Sequence, residues 1–146
     1  MSKLFLIQGP NLNLLGQRQP EIYGRETLED VLRLATEAAA PFGLEVAQMQ
    51  SNSEGALVDM IQAARHEAVA IVINPGAYSH TSIAILDALN AFEGPVGEVH
   101  ISDIHKREAF RHHSYVSLRA DVIVVGKGVA GYAEAVEGVG KLLADR

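Results

Sequence analysis

Five short apolar runs recur along the chain, each followed by a stretch whose apolar residues fall at helical spacing. This alternation restricts the fold more than any other feature. The runs lie at residues 3–8, 44–49, 69–74, 96–101 and 121–125 and read as buried strands. Between them Leu28, Val31, Leu32 and Ala35 line one face of a helix, with Thr27 placed to cap it. Leu57, Ile61 and Ala64, with Met60 alongside, form a second stripe, and Ile85, Leu89 and Phe92 a third. The last helix, at about 130–144, carries Val136, Val139, Leu142 and Leu143. Strands alternating with helices through short links give an α/β domain with a parallel sheet and right-handed crossovers. Five strands fit a flavodoxin-like doubly wound sheet, order 2-1-3-4-5, with helices on both faces. The run at 44–49 is the weakest, because Glu45, Gln48 and Gln50 dilute it.

A chain of 146 residues with 48% hydrophobic and 21% charged side chains reads as a single soluble domain, 1–146. It has no cysteine, no basic leader followed by a long apolar stretch and no apolar run of bilayer length, so the expectation is a cytoplasmic protein without membrane association. A net charge of −6 speaks against nucleic acid. Such a chain binds an anion only where arginines and backbone N–H groups gather locally.

In a doubly wound sheet, ligands bind beyond the carboxyl ends of the strands, where the order reverses. The links after strands 1, 3 and 4 should therefore carry the chemistry, and they hold the unusual residues. The first, Gly9 to Gly24, is far longer than a βα turn requires and contains Asn11, Asn13, Arg18 and Tyr23 between glycines and prolines. A phenol is a weak base near neutrality. A cation beside it favours the phenolate, and Arg18 and Tyr23 share one loop. That loop, about 17–25, has the make-up of a lid. The second link runs Asn74-Pro75-Gly76-Ala77-Tyr78-Ser79-His80-Thr81-Ser82. A Pro-Gly turn and a helix cap account for Pro75, Gly76 and Ser79 but not for Asn74 or His80. His80, Ala84 and Asp87 are spaced to share the polar face of the helix that follows. The third link begins at His100-Ile101-Ser102, where a histidine at a strand end is placed to donate a proton. Lys106, Arg107 and Arg111 follow and offset the negative overall charge.

Other patterns carry less. Gly126-Lys127-Gly128-Val129-Ala130-Gly131 matches a dinucleotide fingerprint, but the sequence runs only to Arg146, with no second strand or acidic partner after it. Six histidines fall in no metal-binding spacing, so no metal is expected. No G-x-S-x-G elbow is present.

The segment Gly9 to Gly24 fits G-P-N-L-N-x-L-G-x-R-x-P-x-x-Y-G, Asn74 to Ser82 fits N-P-G-A-x-x-H-T-S, and Glu98 to Ser102 fits E-V-H-x-S. With these, almost the whole chain resembles the type II 3-dehydroquinate dehydratase family. The resemblance implies a cofactor-independent lyase that removes water from 3-dehydroquinate to give 3-dehydroshikimate, in the shikimate pathway or in quinate breakdown. It makes Tyr23 the base, Arg18 a lid residue, His100 the acid and Asn11 a stabiliser of the enolate. Asn74, His80 and Arg111 would hold ring hydroxyls and Ala77 would contribute its backbone. The N–H groups of Ile101 and Ser102 would hold the substrate carboxylate. Asp87 would reach the site of a neighbouring subunit, since these enzymes form trimers that assemble into dodecamers. Three positions depart from the pattern: Asp103 in place of Asn, Leu86 in place of Arg, and Ser53 in place of His. Of these, Asp103 puts an anion beside the carboxylate site, which weakens binding unless it turns away or is paired.

Two other classes are open to this fold. A receiver module needs an acid at the end of strand 3, where the chain has Asn74, and a flavodoxin needs a Ser/Thr-rich loop after strand 1. An inactive binding paralogue would be expected to have lost Tyr23, Arg18 or His100, and all three are present.

Overall fold

The computed structural model describes residues 1–146. Five parallel strands, β1 (Ser2–Gln8), β2 (Leu44–Gln50), β3 (Ala70–Asn74), β4 (Val96–His100) and β5 (Val122–Val125), form one sheet in the order β2-β1-β3-β4-β5. Each expected strand is present within one residue of its expected bounds. The helices are a single turn, α1 (Pro20–Tyr23), and four longer ones: α2 (Leu28–Ala39), α3 (Glu54–Glu67), α4 (Ile83–Asn90) and α5 (Ala130–Ala144).

Period-two alternation sorts the strand residues between two cores. On β1, Leu4 and Leu6 face α2 and α5, whereas Phe5 and Ile7 face α3 and α4. On β3, Ala70 and Val72 take the first side and Ile71 and Ile73 the second. The buried line of α2 is Val31, Ala35 and Ala39, flanked by Leu28 and Leu34, so Leu32 sits beside the core line expected of it. Leu57, Ile61 and Ala64 of α3 and Ile85 and Leu89 of α4 are fully buried as expected.

Thr27 caps α2 in a capping box: its hydroxyl accepts from the Asp30 N–H, and the Asp30 carboxylate accepts from the Thr27 N–H at 2.9 Å. Ser53 caps α3, accepting from the Ala56 N–H at 3.2 Å, so the departure at this position keeps a sound helix start. The third cap differs from expectation. Ser82, not Ser79, caps α4, and Gly76–His80 forms a 3₁₀ turn ahead of it. His80 therefore lies outside the helix that carries Ala84 and Asp87, because Ser82 is the hydroxyl that reaches a free N–H, that of Ile85.

The ends of β1 and β3 approach closely at Gly9. Its N–H donates to the Asn74 carbonyl at 2.8 Å, and a Cβ there would stand 2.5 Å from the Pro75 carbonyl oxygen. Since the obstacle is backbone, Gly9→Ala must push the two strand ends apart. The expected cost is about 1–3 kcal/mol, seen as a drop of several degrees in Tm, and activity should fall with it because Asn11 and Asn74 leave these strand ends side by side.

Candidate active site

The links after β1, β3 and β4 meet over the carboxyl end of the sheet and enclose a cleft of about 530 Å³ that is open to solvent. It is lined by Asn11, Arg18 and Tyr23 from the first link, Asn74, Ala77 and His80 from the second, and His100, Ile101, Ser102, Arg107 and Arg111 from the third. Ten of the eleven expected site residues are thus brought together. The eleventh, Asp87, is exposed on α4 and lines no part of its own chain's cleft. Three arginines line the cleft and no carboxylate does, so a chain of net charge −6 presents a cationic site.

Tyr23 ends α1, whose start is set by Pro20 at the first helical position after Gln19 in the left-handed region. Its hydroxyl accepts from Arg107 Nη1 at 2.8 Å, and Arg107 also reaches Ser102 Oγ at 3.4 Å. The Arg18 guanidinium lies 5.0 Å from the ring centroid of Tyr23, and that of Arg107 lies 5.5 Å away. Arg18 is the expected partner. Arg107 is the one that sequence reasoning passed over, having counted it only as part of a basic stretch. Asn11 is held with φ +69°, a left-handed conformation that asparagine tolerates, and its N–H donates to Asn52 Oδ1 at 2.9 Å. Gln50 holds the same Asn52 oxygen at 3.1 Å and the Gly9 carbonyl at 3.1 Å.

His100 and Glu98 stand two apart on β4, so their side chains share one face of the sheet. His100 Nε2 donates to Glu98 Oε2 inside the core, where His100 is 5% exposed and Glu98 fully buried. Ser114 and Ser117 donate to the same carboxylate at 2.6 and 2.5 Å. Burial pushes the Glu98 carboxyl up, but the hydrogen bond and charge of His100 and the two hydroxyls outweigh it and hold the group below its usual range. This leaves Nδ1 as the ring nitrogen of His100 that remains for the cleft.

His80 Nδ1 donates to the His113 carbonyl at 2.8 Å, which leaves Nε2 as an acceptor. Burial, opposed by that bond and reinforced by the charges of His100, Arg111 and Arg107, holds its pKa down and keeps it neutral at neutral pH. The N–H groups of Ile101 and Ser102 take no part in the chain's turn and loop hydrogen bonds, which instead use the carbonyls of His100 and Ile101 for Gly126 and Gly128. Asp103 does not line the cleft. Its Oδ1 accepts from the His105 N–H at 3.0 Å and lies 3.4 Å from His105 Nδ1, so it turns away and is paired. Leu86 does not line the cleft.

The arrangement places a phenol bracketed by two guanidiniums, an imidazole backed by a buried carboxylate, free backbone donors and a neutral imidazole acceptor around one small cleft. Such a set suits proton transfer on a polyhydroxylated anion. Residues 2–140 match the family model described as Dehydroquinase class II. The chain is 63% identical to the 3-dehydroquinate dehydratase of Cereibacter sphaeroides over 97% of its own length and 96% of that protein's. It is 65% identical to that of Streptomyces avermitilis, over 95% and 88% of the two chains. Among solved structures, the type II dehydroquinase of Propionibacterium acnes superposes with a TM-score of 0.90 at 40% identity, with 97% of each chain covered. The chain belongs to the class II dehydroquinase family.

Proposed function

We propose that the chain removes water from 3-dehydroquinate by an anti elimination to give 3-dehydroshikimate, with Tyr23 as base and His100 as acid. The observation that carries this reading is the pairing, in one cleft of a family member, of a phenol held by Arg107 and an imidazole held by Glu98. The ketone acidifies the neighbouring C2–H. Tyr23, as phenolate, takes that proton, and Arg107 and Arg18 carry positive charge to the oxygen that must be anionic. Asn11, through a held water, stabilises the enolate. His100 Nδ1 protonates the C1 hydroxyl, which leaves as water, and Glu98 holds the imidazolium that this step requires. One proton is gained at Tyr23 and one lost at His100, so exchange with solvent resets the site, and the steps need no cofactor.

In this reading the Ile101 and Ser102 N–H groups hold the substrate carboxylate. Asn74, Arg111 and neutral His80 hold ring hydroxyls, and Ala77 contributes its backbone. Residues 17–25 act as a lid on the single catalytic domain 1–146. Asp87, which points out of its own chain's cleft, would serve a neighbouring subunit in the trimers and dodecamers that the resemblance implies. The chemical step is the same in aromatic biosynthesis and in quinate breakdown, and either setting is cytoplasmic in this reading.

The test is the ultraviolet absorbance of the conjugated enone formed when pure protein is mixed with 3-dehydroquinate. Absorbance that grows with time and enzyme concentration supports the reading, and a folded protein that produces none overturns it. Arg107 gives a sharper check. Arg107→Met removes the donor on the Tyr23 oxygen and one of its two cations, and a hydrogen bond to a charged group contributes about 1.5–3 kcal/mol. The expected result is a fall in kcat/KM of about 10- to 100-fold, whereas an unchanged value would remove Arg107 from the base.

A further inference from the structure

We propose that Tyr132 is a positioning residue for this site: its buried hydroxyl fixes the orientation of the Asn74 carboxamide and so decides which of its hydrogen-bonding groups meet the substrate. The inference rests on the reading of Asn74 as a substrate-binding group. Asn74 is the last residue of β3 and is 4% exposed, while Tyr132, in the first turn of α5, is fully buried. The alternation that sends Leu4 and Leu6 of β1, and Ala70 and Val72 of β3, towards α5 continues to Gln8 and Asn74. These two pair side by side in register, so α5 meets two amides where its first turn crosses the strand ends.

The bonds form one unbranched chain with a single sense. The Gly76 N–H donates to Asn74 Oδ1 at 3.1 Å, Asn74 Nδ2 to the Tyr132 oxygen at 2.8 Å, and the Tyr132 hydroxyl to Gln8 Oε1 at 2.8 Å. Gln8 Nε2 then donates to Gln48 Oε1 at 3.1 Å, and Gln48 Nε2 to the Leu28 carbonyl at 3.0 Å. Both ends are backbone groups of fixed character: an N–H can only donate and a carbonyl can only accept. Three carboxamides and one hydroxyl, each reversible alone, are therefore set together. Turning Asn74 over would place its NH₂ against the Gly76 N–H. With the chain intact, Asn74 keeps one N–H and one lone pair for the substrate, in a fixed order. Burial also pushes the Tyr132 hydroxyl well above the ordinary phenol range, so it keeps its proton at every working pH. The far end of the chain is the first residue of α2, where the lid segment rejoins the fold, so Asn74 is braced on the same helix start as the lid.

The test combines crystallography with a double-mutant cycle. Tyr132→Phe keeps the ring and removes only the hydroxyl, which strands one donor on Asn74 and one acceptor on Gln8. The expected results are an Asn74 carboxamide that is turned or displaced in the crystal structure, and a kcat/KM lower by about 5- to 50-fold, with the loss mainly in KM. In an Asn74→Ala background, Tyr132→Phe should cause no further loss. Gln8→Met approaches the hydroxyl from its other side, frees its proton, and should act in the same direction even if the phenylalanine variant folds poorly. An unmoved Asn74 in Tyr132→Phe overturns the proposal, and so do losses that multiply in the double variant. The crystal structure reads orientation without turnover, so failure of the reaction assignment and failure of this one are told apart.

Discussion

Tyr23→Phe is expected to lower kcat by about 10²–10⁴-fold, towards the larger figure, while the protein stays folded and still binds substrate. The ring of Tyr23 packs against the edge of the core shared by α2 and α5, and phenylalanine keeps that packing. The lost contact is one hydrogen bond from Arg107, whose Nη1 still has Ser102 Oγ at 3.4 Å, so the change in stability should stay within about 0.5–1 kcal/mol. KM should change little, because the carboxylate and hydroxyl contacts assigned to the other two links are untouched. No other group replaces the phenol. Arg18 and Arg107 cannot accept a proton, and the free Nε2 of His80 is assigned to a ring hydroxyl rather than to the C2–H. Enone absorbance measures kcat, a melting curve reports folding, and calorimetry with the inactive variant reports binding. A variant that turns over at the native rate would keep the reaction and remove Tyr23 as its base. A variant that neither turns over nor binds would show that Tyr23 positions substrate instead.

The sheet was legible because its signal is local and repeated. Alternation of apolar runs with helical stripes needs no long-range information, and five strands of this kind fit the flavodoxin-like order 2-1-3-4-5. Even the diluted strand β2 forms over its full length, and the glutamines that dilute it have a reason to be there: Gln48 and Gln50 face polar partners near the site, not a core. What misled was the link after β3. Ser79 and Ser82 are both acceptable caps in composition, and only the three-dimensional path, which buries Ser79 and turns Gly76–His80 into a 3₁₀ segment, selects Ser82.

The site was legible at its reacting groups and not at their supports. Asn11, Arg18, Tyr23, Asn74, His80 and His100 sit in unusual local patterns at strand ends, where the fold places ligands. Arg107 looked like one basic residue among several, and its hold on Tyr23 spans 84 positions of sequence. Tyr132 lies 58 positions from Asn74 and 124 from Gln8, in a helix that carries no part of the expected site. The links after β2 and β5 lie outside the three expected to carry the chemistry, yet Asn52 anchors the Asn11 N–H, and Gly126 and Gly128 pin the loop that follows His100. Glu98 alone had a usable signal: a carboxylate two positions before a histidine on one strand must share its face.

That pair supports the second large effect. Glu98→Gln is expected to lower kcat by about 10²–10⁴-fold with a smaller change in KM. The carboxylate of Glu98 fixes His100 with its proton on Nε2 and stabilises the imidazolium that must exist before Nδ1 can protonate the leaving hydroxyl. Glutamine is neutral. Its oxygen and NH₂ replace two acceptors, so either the Ser117 hydroxyl, aimed at Oε1, or the His100 N–H and the Ser114 hydroxyl, both aimed at Oε2, now meet another donor. The serine hydroxyls can rotate to accept, but His100 can do so only by giving up the Nε2 proton, which leaves a neutral imidazole, a far weaker acid than the imidazolium the step requires. The same substitution should alter the dependence of stability on pH. The fold holds Glu98 below its usual range, whose reference value is 4.5, so the unfolded chain takes up the proton first as pH falls. Stability tied to this carboxylate is therefore complete above that range and drains away as pH drops through it. Denaturant unfolding between neutral and acid pH should show a shallower acid loss for Glu98→Gln than for the native protein. A normal kcat in this variant would mean that His100 needs no carboxylate to act as the acid, while an unchanged acid limb would place the pH-sensitive stability elsewhere in the fold.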